Sequence, residues 1–306
     1  MVKKRWCCRR TLVGMSQSVR NESASRLRVA MGKGAVAAPG AFTALVGRAV
    51  AQAGFEAVYV SGGATANTAG YPDIGLITLT EMTRTIREIA QGSGLPTIVD
   101  ADTGYGEVEC VIRTVVEYER AGAAGLHLED QVFPKRCGHL DGKDLIMADA
   151  MCDKVAAAAK HKLSREFLVI ARTDARGVEG FEEAVARANA YRAAGADMIF
   201  PEGLTSEKEF GEFAQKSPGL LLANMTEFGK TPMISLKRFE ELGYRLVIYP
   251  LSMQRVAMGH IVRALERLKA EGTVEGFLPE MQTRKALYSL LGYTPGEQWN
   301  FPDHHV

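Results

Sequence analysis

"AGAAGLHLEDQ" occupies residues 121–131, and its form decides the fold. It opens with a glycine of the kind that closes a helix C-terminus, where a left-handed residue is wanted. It continues into apolar residues, the signature of a strand buried on both faces. It ends in polar residues. The phrase recurs as "AGFEAVYVSGG" from Ala53, "AGADMIFPEG" from Ala194 and "LGYRLVIYPLS" from Leu242. "AVAA" (35–38), "PTIVDAD" (96–102), "FLVIARTD" (167–174) and "LLLANM" (220–225) suggest further strands. Between them, residues 79–91, 107–121, 181–194 and 254–271 carry apolar side chains at three- and four-residue steps, the pattern of amphipathic helices.

Strand–helix alternation implies a parallel sheet. Eight repeats predict a closed (β/α)8 TIM-type barrel, with an additional C-terminal helical segment. The boundaries expected are a flexible basic tail over 1–30, the barrel over 31–272, and a C-terminal helix and tail over 273–306 at a subunit interface. The tail is basic and Ser-bearing, with Glu22 as its one acid and no long apolar stretch. It does not read as a secretory signal. A cytoplasmic location is expected, or the mitochondrial matrix if the basic stretch is a transit peptide.

A net charge of +1 gives no electrostatic reason to expect nucleic acid. No apolar run approaches the roughly 18 residues that span a membrane. The five cysteines are odd in number and form no Cys-x-x-Cys pair, so neither a disulfide framework nor a zinc site is suggested.

Barrel active sites lie at the C-terminal ends of the strands. Polar groups cluster there: Ser61 to Gly63, Asp100 and Asp102, Glu129 to Gln131, Arg172 with Asp174, Glu202, Asn224 with Thr226, and Ser252 to Arg255. One such residue is most simply a turn or a helix cap. Clustering at most strand ends is not. Asp100 and Asp102, two apart, point the same way from a strand. They suit Mg²⁺, a hard ion that takes oxygen ligands; a helix cap beside an ion pair explains the spacing equally well. Glu129 and Glu202 add acids to the same rim. Gly62 and Gly63 either present backbone N–H groups to an anion or make a tight turn. Tyr59 is either a base beside a metal or a buried aromatic with a satisfied hydroxyl. Cys137 stands between Lys135, Arg136 and His139 in a loop punctuated by glycine. Cationic neighbours lower a thiol pKa, so it reads as a nucleophile, an acid/base group or a redox-sensitive bystander.

"KRCGH" at 135–139, with "DADTGYG" at 100–106 and "SGG" at 61–63, resembles the isocitrate lyase/phosphoenolpyruvate mutase superfamily over about residues 35–292. "LANMTEFGKTP", "YPLSMQR" and "MQTR" are most similar to its 2-methylisocitrate-cleaving branch. The resemblance implies a (β/α)8 barrel and a homotetramer that swaps a C-terminal helix. It implies Mg²⁺ dependence, with Mn²⁺ as a substitute, and a small 2-hydroxy di- or tricarboxylate substrate. The activity implied is cleavage of 2-methylisocitrate to pyruvate and succinate, in propionate breakdown.

Carried over by motif, Asp100, Asp102 and Glu129 belong to the metal. Ser61, Gly62, Gly63, Gly138, Arg172, Glu202, Asn224, Met225, Thr226, Arg255 and Arg284 belong to the substrate, with Asp73 of "YPDIG" beside them. Cys137 is then the acid that protonates a carbanion, Tyr59 the base, and Lys135 and His139 the cations of a mobile lid over 131–143. The lid sequence also resembles loops of relatives that cleave 2,3-dimethylmalate or remodel phosphonates, and the Cys favours a lyase over a phosphonomutase or an oxaloacetate decarboxylase. Arg255 and Arg284 would separate these, since a tricarboxylate needs cations that a dicarboxylate does not.

Overall fold

A computed structural model describes residues 21–138, 140 and 142–300. His139, the first twenty residues and the last six lie outside the described residues.

Eight parallel strands form the centre: β1 (Val36–Pro39), β2 (Val58–Val60), β3 (Thr97–Asp100), β4 (Gly125–Glu129), β5 (Leu168–Thr173), β6 (Met198–Pro201), β7 (Leu222–Asn224) and β8 (Leu246–Tyr249). β2 to β6 pair in chain order, and β8 pairs with both β1 and β7. Two parallel bridges, Gly40 to Tyr59 and Ile199 to Leu221, join these sets into a closed barrel. The recurring phrase does what its sequence suggests. Gly54, Gly122, Gly195 and Gly243 have φ of +86°, +103°, +115° and +95°, values that favour glycine as each helix turns into the next strand.

Strand residues alternate between two cores. Tyr59, Ile98, Ile170, Phe200, Leu222 and Ile248 point into the barrel. Val58, Val60, Val99, Leu126, Leu128, Val169 and Val247 point outward to the helices. Those helices are α2 (Ala44–Gln52), α3 (Gly62–Thr68), α4 (Leu79–Ser93), α5 (Val108–Arg120), α6 (Ala148–His161), α7 (Phe181–Ala193), α8 (Glu207–Lys216) and α9 (Leu236–Glu241). Then come α10 (Ser252–Glu271) and α11 (Arg284–Leu291).

Residues 22–30, expected to belong to a tail, form most of α1 (Glu22–Lys33). Asn21 caps it by accepting from the Ala24 N–H at 2.9 Å, and Glu22 and Lys33 suit the dipole at its two ends. Its stripe of Ala24, Leu27, Ala30 and Met31 packs on the inward residues at the N-terminal end of the strands. α1 therefore plugs the bottom of the barrel, and the opposite end is left for the site.

Candidate active site

Side chains at i and i+2 of a strand share a face. The inward rows therefore carry on past their apolar residues into polar ones: Tyr59–Ser61, Ile98–Asp100, His127–Glu129, Ile170–Arg172, Phe200–Glu202 and Leu222–Asn224. They meet at the C-terminal mouth. A cavity of about 50 Å³ lies there, lined by Tyr59, Ser61, Asp100, Arg172, Asn224 and Thr226 among others. Cys137, Gly138, Lys135 and Asp73 close it from above. A larger cavity of about 570 Å³ lies on the outer side of the lid, against Leu76, Leu79, Tyr105 and Phe133. It contains none of the predicted site residues.

The lid is tied down at its base. The Val132 N–H donates to the Asp144 carbonyl at 2.8 Å and the Ile146 N–H to the Asp130 carbonyl at 2.9 Å. The Gln131 amide bonds both backbone groups of Arg136 at 2.9 Å. Two buried lysines then reach inward from the lid. The Lys135 ammonium lies 2.5 Å from Asp73 and 2.7 Å from Asp102. The Lys143 ammonium donates to Asp174 at 2.8 Å and to the Gly138 carbonyl.

Six carboxylates crowd this mouth: Asp73, Asp100, Asp102, Glu129, Asp174 and Glu202. Arg172 sits at their centre, 2.9 Å from Asp174, 3.2 Å from Glu129 and 3.7 Å from Glu202, with its guanidinium over the Phe200 ring. Burial works against charge at Asp100, Asp102, Glu129, Asp174, Lys135 and Arg172, and the balance differs from site to site. Burial raises the Asp100 carboxyl, but His127, Lys135 and Arg172 outweigh it and hold it below the ordinary range. Burial pushes Asp102 up to about 6, against the pull of Lys135. Glu129 goes well above the ordinary range, because burial outweighs Arg172 and Lys135. Lys135 and Arg172 remain cations, since the carboxylates overcome their burial.

The donor set fits a hard divalent cation. Asp100 and Asp102 converge on one point: a Cβ built on Gly62 would lie 2.9 Å from an Asp100 oxygen and 3.1 Å from an Asp102 oxygen. Glu129 is buried, and neither of its oxygens accepts a hydrogen bond. Among the described residues no three acidic, His or Cys side chains form a ready-made cage. Mg²⁺ does not need one; it keeps several waters and is held by one or two carboxylates. Lys135 now neutralises part of the charge such an ion would meet.

Most predicted residues meet here; Met225 and Arg284 do not. Met225 has the opposite strand parity and faces the outer core, its sulfur accepting from the Ile234 N–H. Arg284 is exposed at the start of α11, away from the cavity. Tyr59 lines the cavity but is poorly placed as a base. Its hydroxyl bonds His127 Nε2 at 2.7 Å, and burial and the nearby Asp100 raise its pKa well above the usual value. His127, brought down to about 4 by burial, is neutral and structural, as its apolar setting suggests. Arg255 sits at the rim, bonded to Glu227 at 2.7 Å and to Thr226 at 3.3 Å. Gly62 and Gly63 begin α3 instead of making a tight turn, and the Gly62 N–H already donates to Asp100 at 3.1 Å. Sequence reasoning passed over Lys143, and left Asp130 and Asp174 without a role. Lys143 was visible as a cation inside a glycine-rich lid.

Residues 28–269 match the family model described as "Phosphoenolpyruvate phosphomutase". "Probable 2-methylisocitrate lyase 1" of Corynebacterium glutamicum is 52% identical over 269 residues, covering 88% of this chain and 87% of the relative. The crystal structure of 2,3-dimethylmalate lyase, a PEP mutase/isocitrate lyase superfamily member, superposes with a TM-score of 0.83 at 40% identity, covering 88% of this chain and 91% of that one. Phosphonopyruvate hydrolase in complex with oxalate and Mg²⁺ superposes with a TM-score of 0.80 at 29% identity, covering 88% and 95%. With its barrel, its acid-ringed mouth and its thiol-bearing lid, this chain belongs to the phosphoenolpyruvate mutase/isocitrate lyase superfamily.

Proposed function

We propose that the chain is a carbon–carbon lyase that cleaves 2-methylisocitrate to pyruvate and succinate, with Mg²⁺ as cofactor and Mn²⁺ able to replace it. The observation that carries this reading is the position of Cys137 on a closed lid, lining one small cavity together with Arg172, Asp73 and Asp100. The 52% identity to a relative named as such a lyase supports the choice of substrate.

Asp100 and Asp102 would hold the metal, with Glu129 behind them. The metal's chemistry is to neutralise charge on the oxygens of the 2-hydroxy-carboxylate. Arg172 pairs with a substrate carboxylate, and Ser61, Asn224 and Thr226 orient the remainder. The substrate hydroxyl gives its proton to a carboxylate of the mouth as the C–C bond breaks; the electron pair of that bond stays on the succinate carbon, and the hydroxyl carbon becomes the pyruvate ketone. Cys137 gives its proton to the succinate carbon as a general acid. The lid keeps water away from the carbanion while Lys135 adds positive charge. Tyr59 holds its proton and shapes the floor with His127.

A second reading, cleavage of a smaller diacid such as 2,3-dimethylmalate, draws on Arg255 being bonded to Glu227 and on Arg284 lying outside the cavity. Cys110, Cys137 and Cys152 form no disulfide, which suits a reducing compartment, and we place the enzyme in the cytoplasm as a homotetramer.

The test is pyruvate release with 2-methylisocitrate, isocitrate, 2,3-dimethylmalate and oxaloacetate offered in parallel. Preference for 2-methylisocitrate, abolished by chelator and by Cys137→Ala, is the expected result. Preference for 2,3-dimethylmalate would replace the substrate and keep the chemistry. No turnover of any of the four would overturn the lyase reading.

A further inference from the structure

We propose that Lys143 is a positioning residue: its ammonium staples the lid to Asp174 and thereby holds the Cys137 thiol at the cavity. The effect on turnover rests on the lyase reading above; the effect on the lid does not.

The lid has a tied base and a tip that needs a separate restraint. Lys135 restrains the side toward Asp73 and Asp102. On the other side one buried ammonium, with its side chain 3% exposed, binds an acceptor on the lid and an acceptor on the barrel. The lid acceptor is the carbonyl of Gly138, the residue next to Cys137. The barrel acceptor, Asp174 Oδ1, is at 2.8 Å. A lysine ammonium offers three donors and no acceptor, so it suits two carbonyl-type oxygens brought from opposite sides.

The barrel anchor is rigid. The Asp174 N–H donates to Asp130 Oδ1 at 2.9 Å. Asp130 has outward parity and is itself fixed by the hydroxyls of Thr173 at 2.7 Å and Tyr191 at 2.8 Å. The other Asp174 oxygen takes Arg172 Nε at 2.9 Å. Asp174 thus carries two cations, and both keep it ionised against its burial. Without Lys143, Asp174 belongs to Arg172 alone, and the Gly138 carbonyl loses a charged donor inside a buried site. The closed lid loses its stabilisation while the barrel keeps its own.

The experiment uses Lys143→Met, which keeps the chain length and removes the charge. Alkylation by iodoacetamide is followed peptide by peptide, without substrate, and Cys137 is compared with Cys152 on α6 as an internal measure of the fold. We expect the Cys137 to Cys152 rate ratio to rise about tenfold as the open lid becomes populated. With substrate, kcat should fall about 100-fold while KM moves less than about threefold, as expected when a group delivered by closure is misplaced. An unchanged rate ratio overturns the proposal, even if kcat falls, because Lys143 would then act on substrate and not on the lid. A raised ratio in a protein that turns over none of the four acids leaves the latch standing and removes only the lyase reading. If Lys143→Met unfolds, seen as Cys152 reacting at the rate of urea-unfolded chain, Lys143→Gln repeats the test. The same rise is expected there, and an unchanged ratio again overturns the latch.

Discussion

Gly138 has no room for a side chain. A Cβ there would lie 2.3 Å from the Arg172 guanidinium and 2.5 Å from the Glu202 side chain, both buried and held by other partners. Gly138→Ala should therefore keep the lid from seating, with an activity loss of about 100-fold or more in the lyase assay and a barrel that melts as before. Loss of less than about threefold would show that this closed lid is not the reactive one. Tyr59→Phe probes the opposite case. Removing a general base costs about 100- to 10,000-fold, so a loss below about tenfold is expected if the phenol only bonds His127, and a larger one would restore its role as base. Most of this site was legible from one rule, that strand residues two apart share a face. Applied strictly, the rule brings in Asp100, Glu129, Arg172, Glu202 and Asn224 and sets Met225 aside. It says nothing of Asp73, Lys135 or Lys143. These reach the site from loops, whose paths depend on tertiary contacts that no local period encodes.

α1 shows how an element can be hidden by its neighbours in sequence. Its polar face and the basic stretch before it read as tail, and half of its apolar stripe is alanine. Only the open end of the barrel gives that stripe something to cover. Leu27 is fully buried there, against the inward residues of the strands. Leu27→Ala should destabilise the protein by about 2.7–5 kcal/mol, the cost of deleting a buried leucine whose cavity cannot collapse. Denaturant unfolding checks this. A cost near zero would mean that α1 rests on the barrel without stabilising it. The strands and α4, α5, α7 and α10 were legible because long amphipathic periods and buried apolar runs survive without context. α3 was not. Its seven residues, "GGATANT", carry no apolar period, and it forms because Ser61 caps it and Asp100 takes its first amide.

At the scale of the whole molecule, α10 lies outside any core. Only Gln254 of its twenty residues is buried. Met258, Ile261, Val262, Leu265 and Leu268 are between 39% and 59% exposed, at three- and four-residue steps along one stretch of helix. That spacing buries an apolar stripe in a globular protein, and single chains rarely leave so continuous a patch in water. α11 likewise contributes no buried residue. The C-terminal segment therefore has the surface of an interface, and a second copy of the same chain is the partner we propose, in a closed assembly of four. Light scattering should give a mass near four times 33.2 kDa. Ile261→Glu with Leu265→Glu should lower that mass, since an interface cannot bury two unpaired carboxylates cheaply. No residue of α10 is among those of this chain that line the cavity, so the Cys137 to Cys152 alkylation ratio should stay as it was. A wild-type protein that scatters as a monomer would overturn the assembly, and the stripe on α10 would then need a different partner.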